Sequence, residues 1–170
     1  FAALIFIYIN KDFKIRYLGN LDNLIDLNYL IFKSNLGFTD AASYPSWLFI
    51  NDKYEFFPKI IFKIIYFLYS PFLWDIKTFS HFIGFFDGIF YLIITFLIFK
   101  NWKAIYSNTN IRVIFLITIV YLIVFGLGVG NFGTGIRHRS KFAVLFIVLA
   151  APKIYTFIFS KKQNTYKNRK

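Results

Sequence analysis

Cysteine and methionine are both missing from these 170 residues. Disulfides, thiolate metal sites and cysteine nucleophiles are therefore excluded, and cysteine usage says nothing about the redox compartment. Charge is scarce: 16% of residues are charged, whereas 58% are hydrophobic and 24% aromatic, against about 25% charged in an ordinary soluble domain. Acidic residues stop at Asp87. Residues 1–87 hold eight basic and eight acidic residues, while residues 88–170 hold twelve basic residues and no carboxylate, so the whole net charge of +12 belongs to the second half. A soluble fold of this length cannot hide so much apolar surface, which points to a membrane protein.

The apolar residues gather in runs. Phe1–Ile9 is too short to cross a hydrocarbon core of roughly 30 Å and has neither the basic flank nor the cleavage site of a signal peptide, so it is expected to be the end of a span that starts before Phe1. Four longer segments follow: 56–74, interrupted by Lys59 and Lys63; 79–99, holding His81 and Asp87; 113–130, without charge; and 142–159, broken by Pro152 and Lys153. Each is long enough to span, although 56–74 and 142–159 are marginal and fit a tilted or re-entrant segment as well. The expected fold is all-α, a single membrane domain forming a polytopic transmembrane helix bundle with a basic tail at 160–170. In the polar loop 10–55, Asn20 is placed to cap an amphipathic helix with Leu21, Leu24, Ile25, Tyr29 and Phe32 on one face and Asp22, Asn23 and Asp26 on the other, stopped by Asn35 and Gly37.

If all four segments cross, thirteen basic residues from 10–55, 100–112 and the tail fall on one side, against Lys77, Arg137, Arg139 and Lys141 on the other. Basic loops stay inside, so a cytoplasmic C-terminus is expected. A segment 56–74 that only dips would move 10–55 outside. The acid-free second half attracts phosphate, on lipid headgroups or lipid-linked glycans; nucleic acid fits poorly, because the basic residues are separated by apolar runs.

Between the third and fourth segments runs Gly126-Leu-Gly-Val-Gly-Asn-Phe-Gly-Thr-Gly-Ile-Arg-His-Arg-Ser-Lys141. Gly128 to Gly133 matches the dinucleotide fingerprint formally, but no acidic residue follows, so that reading is rejected and no cofactor is expected. Gly126 and Gly130 are expected to form a close packing face. The later glycines are expected to free the backbone for a turn with exposed amides carrying Arg137, His138 and Arg139. Two readings stand for the arginines: headgroup anchoring, or a phosphate or pyrophosphate site suited to bidentate donors. Asp87, in the middle of a span, needs a partner, with Arg137, Arg139 or a lysine of 56–74 available. It is either half of a structural ion pair or a general base or proton carrier. Asp75 sits at a membrane boundary, and with only His81 and His138 available no metal site is expected.

Phe67-Leu-Tyr-Ser-Pro-Phe-Leu-Trp-Asp75, Asp87 and Asn131-Phe-Gly-Thr-Gly-Ile-Arg-His-Arg139 resemble the C-terminal part of multi-spanning proteins of bacterial surface-polysaccharide clusters, the O-antigen polymerase-like or membrane glycosyltransferase-like proteins. The resemblance covers about residues 40–152; Leu73 stands where a second proline of a Pro-Phe-x-Trp element is expected. It implies a multi-pass protein of the bacterial inner membrane that polymerises or glycosylates a polyprenyl-diphosphate-linked glycan, without cofactor. Gly133, Thr134, Arg137, His138 and Arg139 are the positions it carries over and would bind the phosphates, while Asp87 as the catalytic residue, or an acid in a region preceding Phe1, would activate the acceptor hydroxyl. A transporter or flippase of the same lipid-linked glycan, or a non-catalytic membrane scaffold, are the competing classes.

Overall fold

The structure is a computed structural model. It describes residues 14–15, 19–20, 26–38 and 42–167, with side chains over 26–38 and 42–156. The chain's opening run 1–9 and residues 21–25 lie outside the described residues, and so do the side chains of the basic tail. Strands β1 (Lys14–Ile15) and β2 (Gly19–Asn20) pair as a short antiparallel ribbon, so Asn20, the expected cap, ends a strand. Helix α1 (Leu27–Asn35) begins later than the apolar spacing predicts, because Asp26 caps it, accepting a hydrogen bond from the Asn28 amide at 2.9 Å. It stops at the expected Asn35, whose side-chain amide grips both backbone groups of Ile50, at 2.7 and 3.1 Å.

Helix α2 (Lys53–Tyr69) is shorter at its C-terminus than the apolar run 56–74. Pro71 disfavours helical geometry at Ser70, and the chain continues as an extended segment with a cis Ser70–Pro71 bond and a 3-10 turn at Leu73–Asp75. Thr78 then caps α3 (Phe79–Lys100) through the His81 amide. A short α4 (Trp102–Ser107) leads to α5 (Thr109–Gly128), capped by the Asn108 carboxamide on the Asn110 and Ile111 amides. At 1.5 Å per residue, α3 and α5 are each about 30 Å or more in length. These two helices are long and apolar enough to cross a membrane, and only 28% and 17% of their apolar windows are buried inside the protein. Core helices of a soluble fold would be mostly covered, whereas here Phe82, Ile83, Phe86, Leu116, Ile117 and Val120 lie open.

The glycine-rich stretch differs most from expectation. It forms helix α6 (Phe132–Ser140), not a turn. The Asn131 side chain caps it by accepting from the Gly133 and Thr134 amides, at 2.8 and 3.4 Å, so those amides already have a partner within the protein. The expected Gly126–Gly130 face is also divided: a Cβ on Gly126 would run into Ile64 of α2, while Gly130 lies beyond the end of α5 and packs against Gly37 and Phe38. The last helix, α7 (Ala143–Lys167), continues through Pro152.

Two features of the packing place the site. First, α6 and α7 together run along α3 in the same direction. Phe132 meets His81, Ile136 faces Gly84, Arg139 reaches Asp87, Phe146 packs on Tyr91, and the Leu149 carbonyl accepts from Asn101. The pair thus acts as one helix broken at residues 141–142. Second, the segments before and after α2 meet at one end of the bundle. Ser43 forms a β-bridge with Asn131; Tyr44 packs against both Tyr66 and Phe132; and Phe72, downstream of α2, packs against the same Tyr66. Loop 42–51 therefore shares the end of the bundle that holds Asn131 and the start of α6.

Candidate functional site

Arg139 lies at the break between α6 and α7 and is only 1% exposed. A helix leaves its last four carbonyls without partners and carries partial negative charge at that end. The C-terminal end of α2 points these groups at Arg139. Its Nη1 approaches the carbonyls of Phe67, Leu68 and Ser70 at 3.3, 3.0 and 2.6 Å; Nη2 donates to Gly84 O at 3.1 Å; and Nε donates to Asp87 Oδ2 at 2.6 Å. Tyr91 completes the joint, donating its hydroxyl to Arg139 O at 2.7 Å and placing its ring 5.6 Å from the guanidinium. One side chain thereby caps α2, holds α3 and fixes the α6–α7 break.

Two glycines of α3 let its neighbours approach closely, Gly88 admitting the end of α2 and Gly84 admitting α6 and the segment after α2. A Cβ on Gly88 would collide with the Tyr69 carbonyl, and one on Gly84 would meet Ile136 and Pro71. Sequence reasoning singled out Asp87 but passed over its frame, Gly84-Phe85-Phe86-Asp87-Gly88. That small-x-x-x-small spacing was the signal available for a tight helix contact.

The site residues expected from sequence fall into two groups. Asp87 and Arg139 come together; the Asp87 side chain is 33% exposed, and the bond to Arg139 uses only one of its oxygens. Arg139 already has a protein acceptor for Nε, Nη1 and Nη2, which makes it a structural clamp. His138 is buried, its ring 4.8 Å from Phe125. Gly133, Thr134 and Arg137 instead lie exposed on the opposite side of α6, with Ser140 and Lys141. Positions 133, 134, 137, 140 and 141 repeat at three and four, so they form one polar stripe, while Phe132, Gly135, His138 and Arg139 form the buried face.

At the same end, Asp75 is buried and accepts from the Phe72 amide at 3.1 Å. Burial raises its carboxyl pKa, against the opposing pull of that amide, His81 and Lys77. Trp74 stacks on Phe72 and stays open. Tyr44, buried among rings, has its phenol pushed above the ordinary range by desolvation, with Ser70 and Arg139 acting against that. Among the described residues, no three His, Cys, Asp or Glu side chains gather as a metal site.

No protein-family model, curated protein or solved structure matches the chain. The site is therefore read from its own chemistry.

Proposed function

We propose that this is a polytopic protein of the bacterial inner membrane in which α3, α5 and the broken helix α6–α7 cross the bilayer. In this reading α2 enters and leaves from the side that carries α6. The convergence of loop 42–51 and segment 70–81 on Tyr66 and Phe132 supports the re-entrant path. It also removes the basis of the thirteen-to-four charge count, because 42–51 joins the end that holds Arg137. Around the three crossings, Lys100, Lys103, Arg112 and five tail residues lie on one side, against Lys77, Arg137, Lys141 and the five basic residues of 10–55 on the other, with Arg139 internal. The count is then eight to eight, so charge alone does not set the orientation; we keep the C-terminus in the cytoplasm and α6 at the outer face.

The chain lacks cysteine, so single introduced thiols test this directly. Ser46→Cys and Ser140→Cys should both react with an impermeant maleimide from outside the cell, and Ser107→Cys only after lysis. Protection of Ser46→Cys would restore a crossing at α2.

At that outer face, the function best supported is handling of a polyprenyl-diphosphate-linked glycan in surface-polysaccharide assembly, by polymerisation or glycosyl transfer. The carrying observation is the stripe Thr134, Arg137, Ser140 and Lys141, two cations and two hydroxyls exposed on a helix whose other face is locked into the bundle. A diphosphate on this stripe gains charge-assisted hydrogen bonds from Arg137, and Lys141 adds a second positive charge. The oxygen of Asp87 left free by Arg139 is the group assigned to accept a proton from an acceptor hydroxyl.

The broken α6–α7 and re-entrant α2 favour a second reading, since transporters also build sites from interrupted helices. Purified protein supplied with lipid-linked repeat units distinguishes the two. An enzyme lengthens the glycan in detergent, and Arg137→Lys, which loses the planar fork, should cut product formation by about tenfold or more, using ~1.4 kcal/mol per tenfold and a charged hydrogen bond of about 1.5–3 kcal/mol. A transporter leaves the glycan unchanged and moves it only across a sealed bilayer. Normal surface polysaccharide in cells carrying Arg137→Gln would end both readings.

A further inference from the structure

At the opposite end from α6, a cavity of about 240 Å³ opens between α2, α3, α5 and α7, walled by Ile64, Leu68, Ile98, Phe115, Leu122 and Leu149 among others. Its only hydroxyls besides Tyr69 belong to Thr95 and Thr118, and both are turned back onto their own helices, to Tyr91 O at 2.7 Å and Ile114 O at 2.8 Å. Apart from the Tyr69 hydroxyl and the Trp102 indole N–H, the wall offers a ligand only hydrocarbon. Phe99, Trp102 and Phe115 line it as well, with the Trp102 and Phe115 rings edge to face at 5.5 Å. These three residues bracket the turn from α3 to α5, where Lys100, Lys103 and Arg112 are all exposed.

We propose that this cavity and turn form a binding site for one anionic phospholipid, with an acyl chain in the cavity and its phosphate on Lys100, Lys103 and Arg112. Charge complementarity selects the occupant. Arg112 spends one bond on Thr109, at 3.2 Å, and Lys100 lies 4.5 Å from the centroid of Phe96. Neither meets a carboxylate, and the sequence has none after Asp87 to compete with a lipid phosphate. Basic clusters beside the ends of membrane helices bind anionic headgroups in this way, and the exposed Trp102 suits the headgroup boundary. The site rests on α3 and α5 lying in a bilayer and is independent of the reading of α6.

The test uses the full chain in nanodiscs of phosphatidylcholine doped with a phosphatidylglycerol photoprobe carrying its reactive group on the acyl chain. Labelled peptides should map to 95–122 and 146–149, and a matched phosphatidylcholine probe should label them several-fold less. Neutralising Lys100, Lys103 and Arg112 to Gln should weaken phosphatidylglycerol labelling by roughly fivefold per charge removed, from about 1 kcal/mol for each, without altering the elution volume of the protein. Arg137→Gln should leave labelling unchanged. Equal labelling by the two probes, labelling elsewhere on the chain, indifference to the triple substitution, or displacement by a polyprenyl phosphate in preference to phosphatidylglycerol would each overturn the proposal.

Discussion

Two buried cations close two helix ends in this protein, and they do so in opposite ways. Arg139 takes the C-terminal end of α2 with a carboxylate beside it and donates to carbonyls from two helices and the loop between them. Lys63, fully buried in α2, reaches the end of α1: its ammonium donates to Ser34 O and lies 5.1 Å from the centroid of Phe38. Among the described residues no carboxylate forms an ion pair with it; Glu55 pairs with Lys59 at 2.8 Å instead. A planar guanidinium with its donors matched converts desolvation into several directed bonds, whereas an ammonium with one carbonyl and a ring recovers much less. The same placement, a cation at a helix C-terminus, therefore has different energetic weight at the two sites.

The largest effect is expected where Arg139 is removed. Arg139→Met strands the carbonyls at the end of α2 and leaves Asp87 without its counter-ion, so a loss of about 3–5 kcal/mol is expected. Reversible unfolding in mixed micelles measures it. A loss below about 1 kcal/mol would mean that the joint does not hold the bundle. Gly88→Ala attacks the same joint through backbone, since its methyl would meet the Tyr69 carbonyl and not a flexible side chain. About 1–3 kcal/mol is expected, and Gly128→Ala, with no atom near the added Cβ, is the matched control that should be neutral or slightly stabilising. Asp87→Asn comes next. It keeps an oxygen for Arg139 and loses only the charge, on a side chain that is one-third open, so about 1–2 kcal/mol is expected. If Asp87 is also the proton acceptor, glycan assembly should stop while the protein remains folded and abundant; activity and fold lost together would leave only the ion pair.

The comparison also explains what the sequence made legible. Hydrophobic runs located α3 and α5 well, because a span's length and lack of charge are one-dimensional properties. Asp87 announced its need for a partner for the same reason, and Arg139 was among the residues named for it. The part played by Arg139 was not legible: its neighbours in sequence, Arg137 and His138, look equivalent to it until a helix turns Arg137 outward and the other two inward. That helix was concealed by Gly133 and Gly135, which read as turn residues, although Asn131 as a cap and the 3–4 spacing of Phe132, Gly135, Arg139 and Phe142 carried the contrary signal. Likewise, Lys59 and Lys63 share a spacing that suggests one fate, yet Lys59 pairs with Glu55 near the surface while Lys63 lies beneath α1. Which face an apolar helix buries depends on contacts far away in sequence, such as Ser43 with Asn131, and periodicity in a mostly apolar helix cannot supply them.

The smallest effect is expected at Lys63, and it is the sharpest test of the comparison. Lys63→Met keeps the length and flexibility of the side chain and removes the charge. The substitution gives up one hydrogen bond to Ser34 O and the attraction of the Phe38 ring, a loss of about 1–3 kcal/mol if the carbonyl is left dry. Against this stands the relief of desolvating an ammonium that has no carboxylate partner among the described residues, a penalty of several kcal/mol per ion before compensation. The two nearly cancel, so the Lys63→Met protein should unfold within about 1 kcal/mol of the wild type. Lys63→Ala, which leaves a cavity as well, should lose about 2–3 kcal/mol, within the range of large-to-alanine core substitutions. The pairing of Lys63→Met with Arg139→Met is what matters: the same apolar replacement at two buried cations should be tolerated at one helix end and damaging at the other. If Lys63→Met instead costs more than about 3 kcal/mol, the magnitude of a broken buried ion pair, then the α1 joint is as strong as the α2 joint. The number of carbonyls and the presence of Asp87 would then not be what sets Arg139 apart.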